Sequence, residues 1–276
     1  MQEETSGNIL ARAALTLWLA LMGAAAGAAT GAVKEMPRID NPARAAAAPE
    51  EFAWDLFIAT NWPARHGQRG VPDPSQPFGR PSRAVWETWK ASTEVFLSAG
   101  EVPAAWDAPD PSTSDDGKTS LRLSDGVVLA SSAAPSFVTG GLRDIRGEAI
   151  YSEVRMNRVA FDHVVNHELY NVEGQLAFTE KNGNLKMPLG SIEVKASWRI
   201  LDSVKDRSIA HRYFKTKGVL QRDDGSKRVV TLGLTGMNIM VKVRDDWFWT
   251  AFEQVDNSAQ TYDREFRRFG RHAAQI

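Results

Sequence analysis

Between Val229 and Val243, apolar residues fill both alternating sets of positions. Val229, Thr231, Gly233, Thr235, Met237, Ile239, Val241 and Val243 form one set, and Val230, Leu232, Leu234, Gly236, Asn238, Met240 and Lys242 the other. A strand that is apolar on both faces is covered on both faces, so this stretch is expected to run through the middle of the main sheet. Arg244-Asp245-Asp246 reads as a polar turn into a partner strand, in which Trp247, Trp249 and Ala251 oppose Phe248, Thr250 and Phe252. Within the first strand, Gly233-Leu234-Thr235-Gly236 marks a bulge or bend. The cleanest two-residue period lies upstream, after Pro188-Leu189-Gly190. There Ile192, Val194, Ala196, Trp198 and Ile200 alternate with Glu193, Lys195, Ser197 and Arg199, so one face must meet a core. Further strands are expected at Leu121 to Leu129, Glu148 to Met156 and Arg212 to Val219. The last leads through Asp223-Asp224-Gly225 into the central pair as a hairpin.

Helical spacing appears elsewhere. Phe52, Leu56 and Ala59 recur at that period within Glu50 to Asn61, with Pro49 at the start and Pro63 at the end. A second helix is predicted from Ser82, with Val85, Trp86, Trp89, Val95 and Phe96 on its apolar face. The Pro-rich stretch from Ala64 to Pro81 joins the two as a loop, and the pair is expected to cover a sheet. Asn157 caps a third helix bearing Phe161, Val164, Val165 and Leu169, with the pattern running on to a turn at Lys181-Asn182-Gly183-Asn184. The segment Tyr262 to His272 reads as a basic amphipathic helix with a solvated face.

These elements define an α+β fold with a mainly antiparallel, barrel-like sheet in the C-terminal half and Trp-bearing helices packed on it. Upstream, the short apolar run Ala13 to Ala28 ends in small residues, the shape of a secretory signal peptide. Residues 1–32 are therefore assigned as a signal peptide, 33–49 as a linker and 50–276 as one α+β domain, with an internal boundary at 107–118. The expected location is periplasmic or secreted, with membrane contact only through the signal segment if it is uncleaved.

The charge balance is close to neutral, with 33 basic against 34 acidic residues, so the term that drives non-specific nucleic-acid binding is missing. The chain contains no Cys, which excludes disulfides, thiolate metal sites, iron–sulfur clusters and covalent haem attachment. No nucleophile-elbow or phosphate-loop signature is present.

Three segments, Phe161 to Gln175 (FDHVVNHELYNVEGQ), Gly190 to Leu201 (GSIEVKASWRIL) and Asp245 to Asn257 (DDWFWTAFEQVDN), follow an FAWxxFxxxNWP motif at Phe52 to Pro63. In this the chain resembles a group of exported bacterial proteins without an assigned reaction. The resemblance spans most of the chain after the signal segment and implies export and a single β-rich unit. Some of that group carry haem-type CxxCH segments, which this sequence lacks.

Two constellations carry candidate chemistry. The polar side of the Ile192 strand, with Glu193, Lys195 and Arg199, joins Glu253 and the aromatic Trp198 and Trp249 as a candidate ligand-binding set, because inward-facing charges need partners or a ligand. His163 and His167, four apart on one helical face, with His211 as an outside ligand, form a candidate divalent-metal set. The leading expectation is an exported binding or accessory protein for a small organic or glycan ligand, since Trp side chains stack on rings. The alternative is a metal-dependent enzyme using the His163/His167 pair.

Overall fold

In the computed structural model, residues 33, 35–80, 82–109, 120–124, 143–144, 149–221, 227–257 and 273–275 are described. The N-terminal part holds helices α1 (Pro42–Ala47) and α2 (Pro49–Thr60), a 3-10 turn at Trp86–Thr88, strand β1 (Lys90–Ala91) and the short helix α3 (Ser92–Val95). Strands β2 (Ser120–Ser124) and β3 (Ile150–Met156) follow, then α4 (Arg158–Asn166), α5 (Val172–Asn182) and β4 (Ile192–Ile200). The chain continues through β5 (Lys215–Gln221), β6 (Lys227–Val241), β7 (Phe248–Glu253) and β8 (Ala273–Gln275).

The eight strands among the described residues belong to one curled sheet, ordered β1-β3-β4-β6-β5-β2, with β7 also on β6 and β8 on β7. Pairing is antiparallel except at β2–β5 and β7–β8. The fold is thus α+β with a mainly antiparallel sheet.

The centre of this sheet is β6, as its doubly apolar sequence requires. One edge pairs with β4 from Ile192↔Val241 to Ile200↔Leu232. The other edge is divided: Lys227 to Gly233 pairs with β5, and Gly236 to Val241 pairs with β7. Where the edge divides, Ser197 sits opposite Gly236 and Trp198 opposite Leu234, leaving Thr235 as an extra residue. Such a bulge bends its strand and sharpens the twist, which curls the sheet here. The backbone groups around it are still satisfied. Leu234 N donates to Phe214 O (2.9 Å), while Gln254 N and the Asn257 side-chain amide both donate to Thr235 O (3.1 and 2.9 Å).

Gly233 is at this corner because no side chain fits there. An added Cβ would stand 2.8 Å from Tyr213 Cδ1 and 2.9 Å from Leu201 Cδ1. Gly233→Ala is expected to cost about 1–3 kcal/mol, the usual range for overpacking, read as a lowered thermal midpoint. An unchanged midpoint would mean that both neighbours yield at no cost.

Helix α2 lies on the face of the sheet that carries Val194, Met237, Ile239 and Phe252, all fully buried. Its Phe52 meets Phe248 edge-on at 5.0 Å and its Phe57 meets Phe252 at 4.8 Å. One continuous hydrophobic cluster joins Phe52, Leu56, Trp62, Trp86, Trp198 and Phe252. Asn157 caps α4 as expected, accepting from Ala160 N (3.1 Å), and also accepts from Ile192 N (3.1 Å), which ties the helix start to β4. Gly183, at φ 79°, ends α5.

Three predicted elements come out differently. The helix expected from Asn157 through Leu169 breaks after Asn166, with Glu168 at φ 55°, and resumes as α5. The helix expected from Ser82 is instead a 3-10 turn, the two-residue β1 and the four-residue α3. Lys90 and Ala91 pair with Met156 and Arg155 on the edge of β3, and that pairing, with Trp86 and Trp89 buried beside it, overrides local helical spacing. Within the expected linker, Asn41 accepts from Arg44 N (3.0 Å) and caps α1. The signal segment, most of the 107–118 boundary, the strand beyond Ser124, the turn at Asp223-Asp224-Gly225 and the Tyr262 to His272 helix lie outside the described residues. No helix among the described residues is long and apolar enough to cross a membrane.

Candidate functional site

The alternation along β4 splits the predicted ligand set between two faces. Ile192, Val194, Ala196 and Trp198 are buried toward α2, whereas Glu193, Lys195 and Ser197 are half-buried on the opposite face. Arg199 is inaccessible: it pairs with Asp144 (3.0 Å) and Asp206 (3.4 Å) and donates to Tyr213 Oη (3.1 Å). Glu253 accepts from Asn257 Nδ2 (3.2 Å), and Trp249 is 65% exposed. Trp198 is thus separated from Glu193, Lys195, Glu253 and Trp249, whose register places them together on the opposite face.

The His163 and His167 rings lie 4.6 Å apart beside Phe178. His211 stands elsewhere, on the rim of the cleft described next. Among the described residues, no group of three His, Cys, Asp or Glu could hold a metal ion. Burial is the main cause that lowers the His163 pKa, with the neighbouring His167 adding to it.

What the structure does assemble is a cleft of about 1040 Å³ between the end of α2, the Pro-rich loop and the β5–β6 edge. The apolar part of its lining is largely aromatic: Phe57 from α2, Phe78 from the loop, Tyr213 and Phe214 from the segment leading into β5, and Leu234 from β6. Around them stand four cationic side chains, Arg80 and Arg83 from the loop and Lys215 and Lys217 from β5. Because β5 pairs antiparallel with β6 through Lys215↔Gly233 and Lys217↔Thr231, the two lysines project on the same side of the sheet. Lys217 Nζ donates to Thr231 Oγ1 at 2.9 Å.

Among the described lining residues the acidic one is Glu87, which is buried. Its Oε2 accepts from Ala84 N (2.7 Å) and its backbone oxygen accepts from Arg83 Nη2 (2.7 Å). Burial pushes the Glu87 carboxyl up to about 7; the Ala84 amide opposes that, Glu153 reinforces it, and Arg83 and Arg155 oppose it. Beneath lies a buried polar layer. Glu153 accepts from Trp198 Nε1 (3.0 Å) and from Arg155 Nε (2.8 Å), and Arg155 Nη1 donates to Trp89 O (2.8 Å). Trp86, stacked on Trp198 at 6.2 Å, donates to Asn61 Oδ1 (3.1 Å), and Asn61 also lines the cleft.

Sequence reasoning placed Asn61 and Phe57 in the FAWxxFxxxNWP motif and the loop between the tryptophans, but not their convergence with β5. Trp62 and Trp86 are core residues, each under 2% exposed, and the loop between them supplies the cleft wall. The available signal was the interleaving of Phe78, Arg80 and Arg83 in a Pro-rich stretch.

Physically, four cations and one carboxyl half-ionised near neutrality favour an anion, and the aromatic walls favour a ring or chain attached to it. Comparison with protein-family models, with curated proteins and with solved structures finds no match for this chain.

Proposed function

We propose that this is an exported binding or accessory protein whose cleft holds a small organic or glycan ligand bearing an anionic group. One observation carries the reading: among the described residues, the aromatic cleft is rimmed by Arg80, Arg83, Lys215 and Lys217 against one acid, Glu87. The Ala- and Gly-rich run at Ala13 to Ala28 supports export. The resemblance in the FAWxxFxxxNWP segment supports membership of the exported group, and its Phe57 and Asn61 both face the cleft.

The test is calorimetric titration with benzoate, phenyl phosphate and glucuronate, each beside a neutral isostere. Binding of at least one anion is expected, and the double charge reversal Arg80→Glu with Lys215→Glu should weaken it roughly a hundredfold, two favourable contacts becoming two repulsive ones. Both side chains are exposed, so stability should change little. Equal affinity for anion and neutral isostere, or affinity indifferent to the reversal, would sink the reading.

A second reading is favoured by the Glu87 carboxyl alone. A buried acid with a pKa of about 7 on the wall of a cleft is suited to exchange a proton with a bound ligand. Turnover of a bound anion lost in Glu87→Gln, with its affinity kept, distinguishes catalysis from binding.

A further inference from the structure

A smaller cavity, of about 290 Å³, opens on the face of the sheet opposite α2, between β3, β4 and the α4–α5 pair. Its lining is mostly apolar: Phe96, Val154, Met156, Val164, Leu169, Leu185 and Met187. Three polar residues join them, the Ser92 hydroxyl, Gln175 and Glu193. Gln175 donates its amide to Leu169 O (2.7 Å), which leaves its side-chain oxygen as an acceptor. Glu193 reaches the cavity from β4, directly across from Met156 of β3.

No cation or hydrogen-bond donor among the described residues partners the Glu193 carboxylate. Lys195 follows on the same side of the strand without pairing with it, and Lys90, on the strand beyond β3, is engaged by Glu94 at 3.3 Å. Removal from water is the cause that raises the Glu193 pKa. A carboxylate set into an apolar chamber with no compensating charge is costly to keep there. A bound cation would offset that cost, and an apolar body attached to it would fill the remainder.

We propose that this chamber is a second binding site, for a small hydrophobic primary amine whose ammonium pairs with Glu193 while its ring or alkyl part packs among Met156, Val164, Leu169 and Met187. The volume is at the low end for ligand pockets, which limits the occupant to a compact amine. Polarisable methionine thioethers on two walls suit an aromatic ring. This site shares no lining residue with the cationic cleft, so its occupancy is independent of the function proposed for that cleft.

The test uses the full chain with 13C-methyl methionine, titrated with phenethylamine, benzylamine and hexylamine, and with 2-phenylethanol as the neutral comparison. Saturable shifts of the Met156 and Met187 methyls are expected with at least one amine. Affinity for the alcohol should be roughly tenfold or more weaker, the scale of a lost charge-assisted hydrogen bond. Glu193→Gln keeps the shape and should abolish this preference for the amine, and Glu193→Asp should restore part of it. Because both variants remove or keep the carboxylate without adding volume at the cavity wall, both are expected to melt as a folded protein. Shifts that are equal for amine and alcohol, an amine preference that survives in Glu193→Gln, or no saturable shift with any of the three amines would each overturn the proposal.

Discussion

Arg155→Met is expected to lower folding stability by about 3–5 kcal/mol, the cost of leaving a buried charge without its partner. Arg155 is 2% exposed and its contacts are internal: Nε to Glu153 at 2.8 Å and Nη1 to the Trp89 carbonyl at 2.8 Å. Methionine would fill much of the volume but supply no positive charge. Glu153 would then keep the Trp198 indole N–H while sitting near Glu87, and two carboxyls would share a buried region with less cation to hold them. Urea unfolding of the variant measures the loss. The double change Glu153→Gln with Arg155→Met should recover a large part of it, because the orphaned charge is gone as well. A single-variant loss below about 1 kcal/mol, typical of a solvent-screened pair, would show that water reaches this layer.

The second large effect is a pH dependence. The Glu87 carboxyl rises from an ordinary 4.5 to about 7 on folding, so the folded chain holds this proton more tightly than the unfolded chain does. The stabilisation is fully present below 4.5 and is lost as the pH rises through 7; by linkage its size is about 3 kcal/mol. Glu87→Gln imitates the protonated form, and its amide oxygen can still accept from Ala84 N. Parent and variant should therefore have similar stability in acid, and the variant should gain on the parent by about 3 kcal/mol once the pH is above 7. Taking the difference between the two curves removes the other titrating groups, which are common to both. The check is denaturant unfolding from pH 4.5 to 8; a constant difference across that range would mean that Glu87 titrates no differently in the folded chain.

The β-rich half was legible because its pattern is strong and local. Alternation along Ile192 to Ile200, double apolarity from Val229 to Val243, and the Gly-flanked bulge each follow from a two-residue period that burial enforces. Asn157 and Gly183 marked helix ends for the same reason, since a cap is a property of its own few residues. The stretch after Ser82 misled because Trp86, Trp89 and Lys90 are fixed by what lies across from them, a strand edge some sixty residues away, and helical spacing carries no record of that.

The cleft was hidden for a related reason. Phe57, Arg83 and Lys215 lie on three separate segments that meet only in the folded chain. The charged side of β4 was visible as a pattern, but the sequence does not say that Arg199 would be consumed by Asp144 and Asp206, nor that Glu193 would face an apolar chamber. Alternation gives the face of a residue, not what covers that face.

The division of β6 between two partners has a consequence for how the molecule comes apart. β5, which carries the lysines of the cleft, and β7, which receives α2, are both hydrogen-bonded to one continuous strand, and β4 spans both halves from its other edge. Melting that strand dismantles both regions at once, so they belong to a single cooperative unit whose opening requires global unfolding. The β5–β6 and β6–β7 pairs close as local hairpins, whereas joining β4 to β6 brings Ile192 to Val241, so the step that unites the two regions carries the long loop closure.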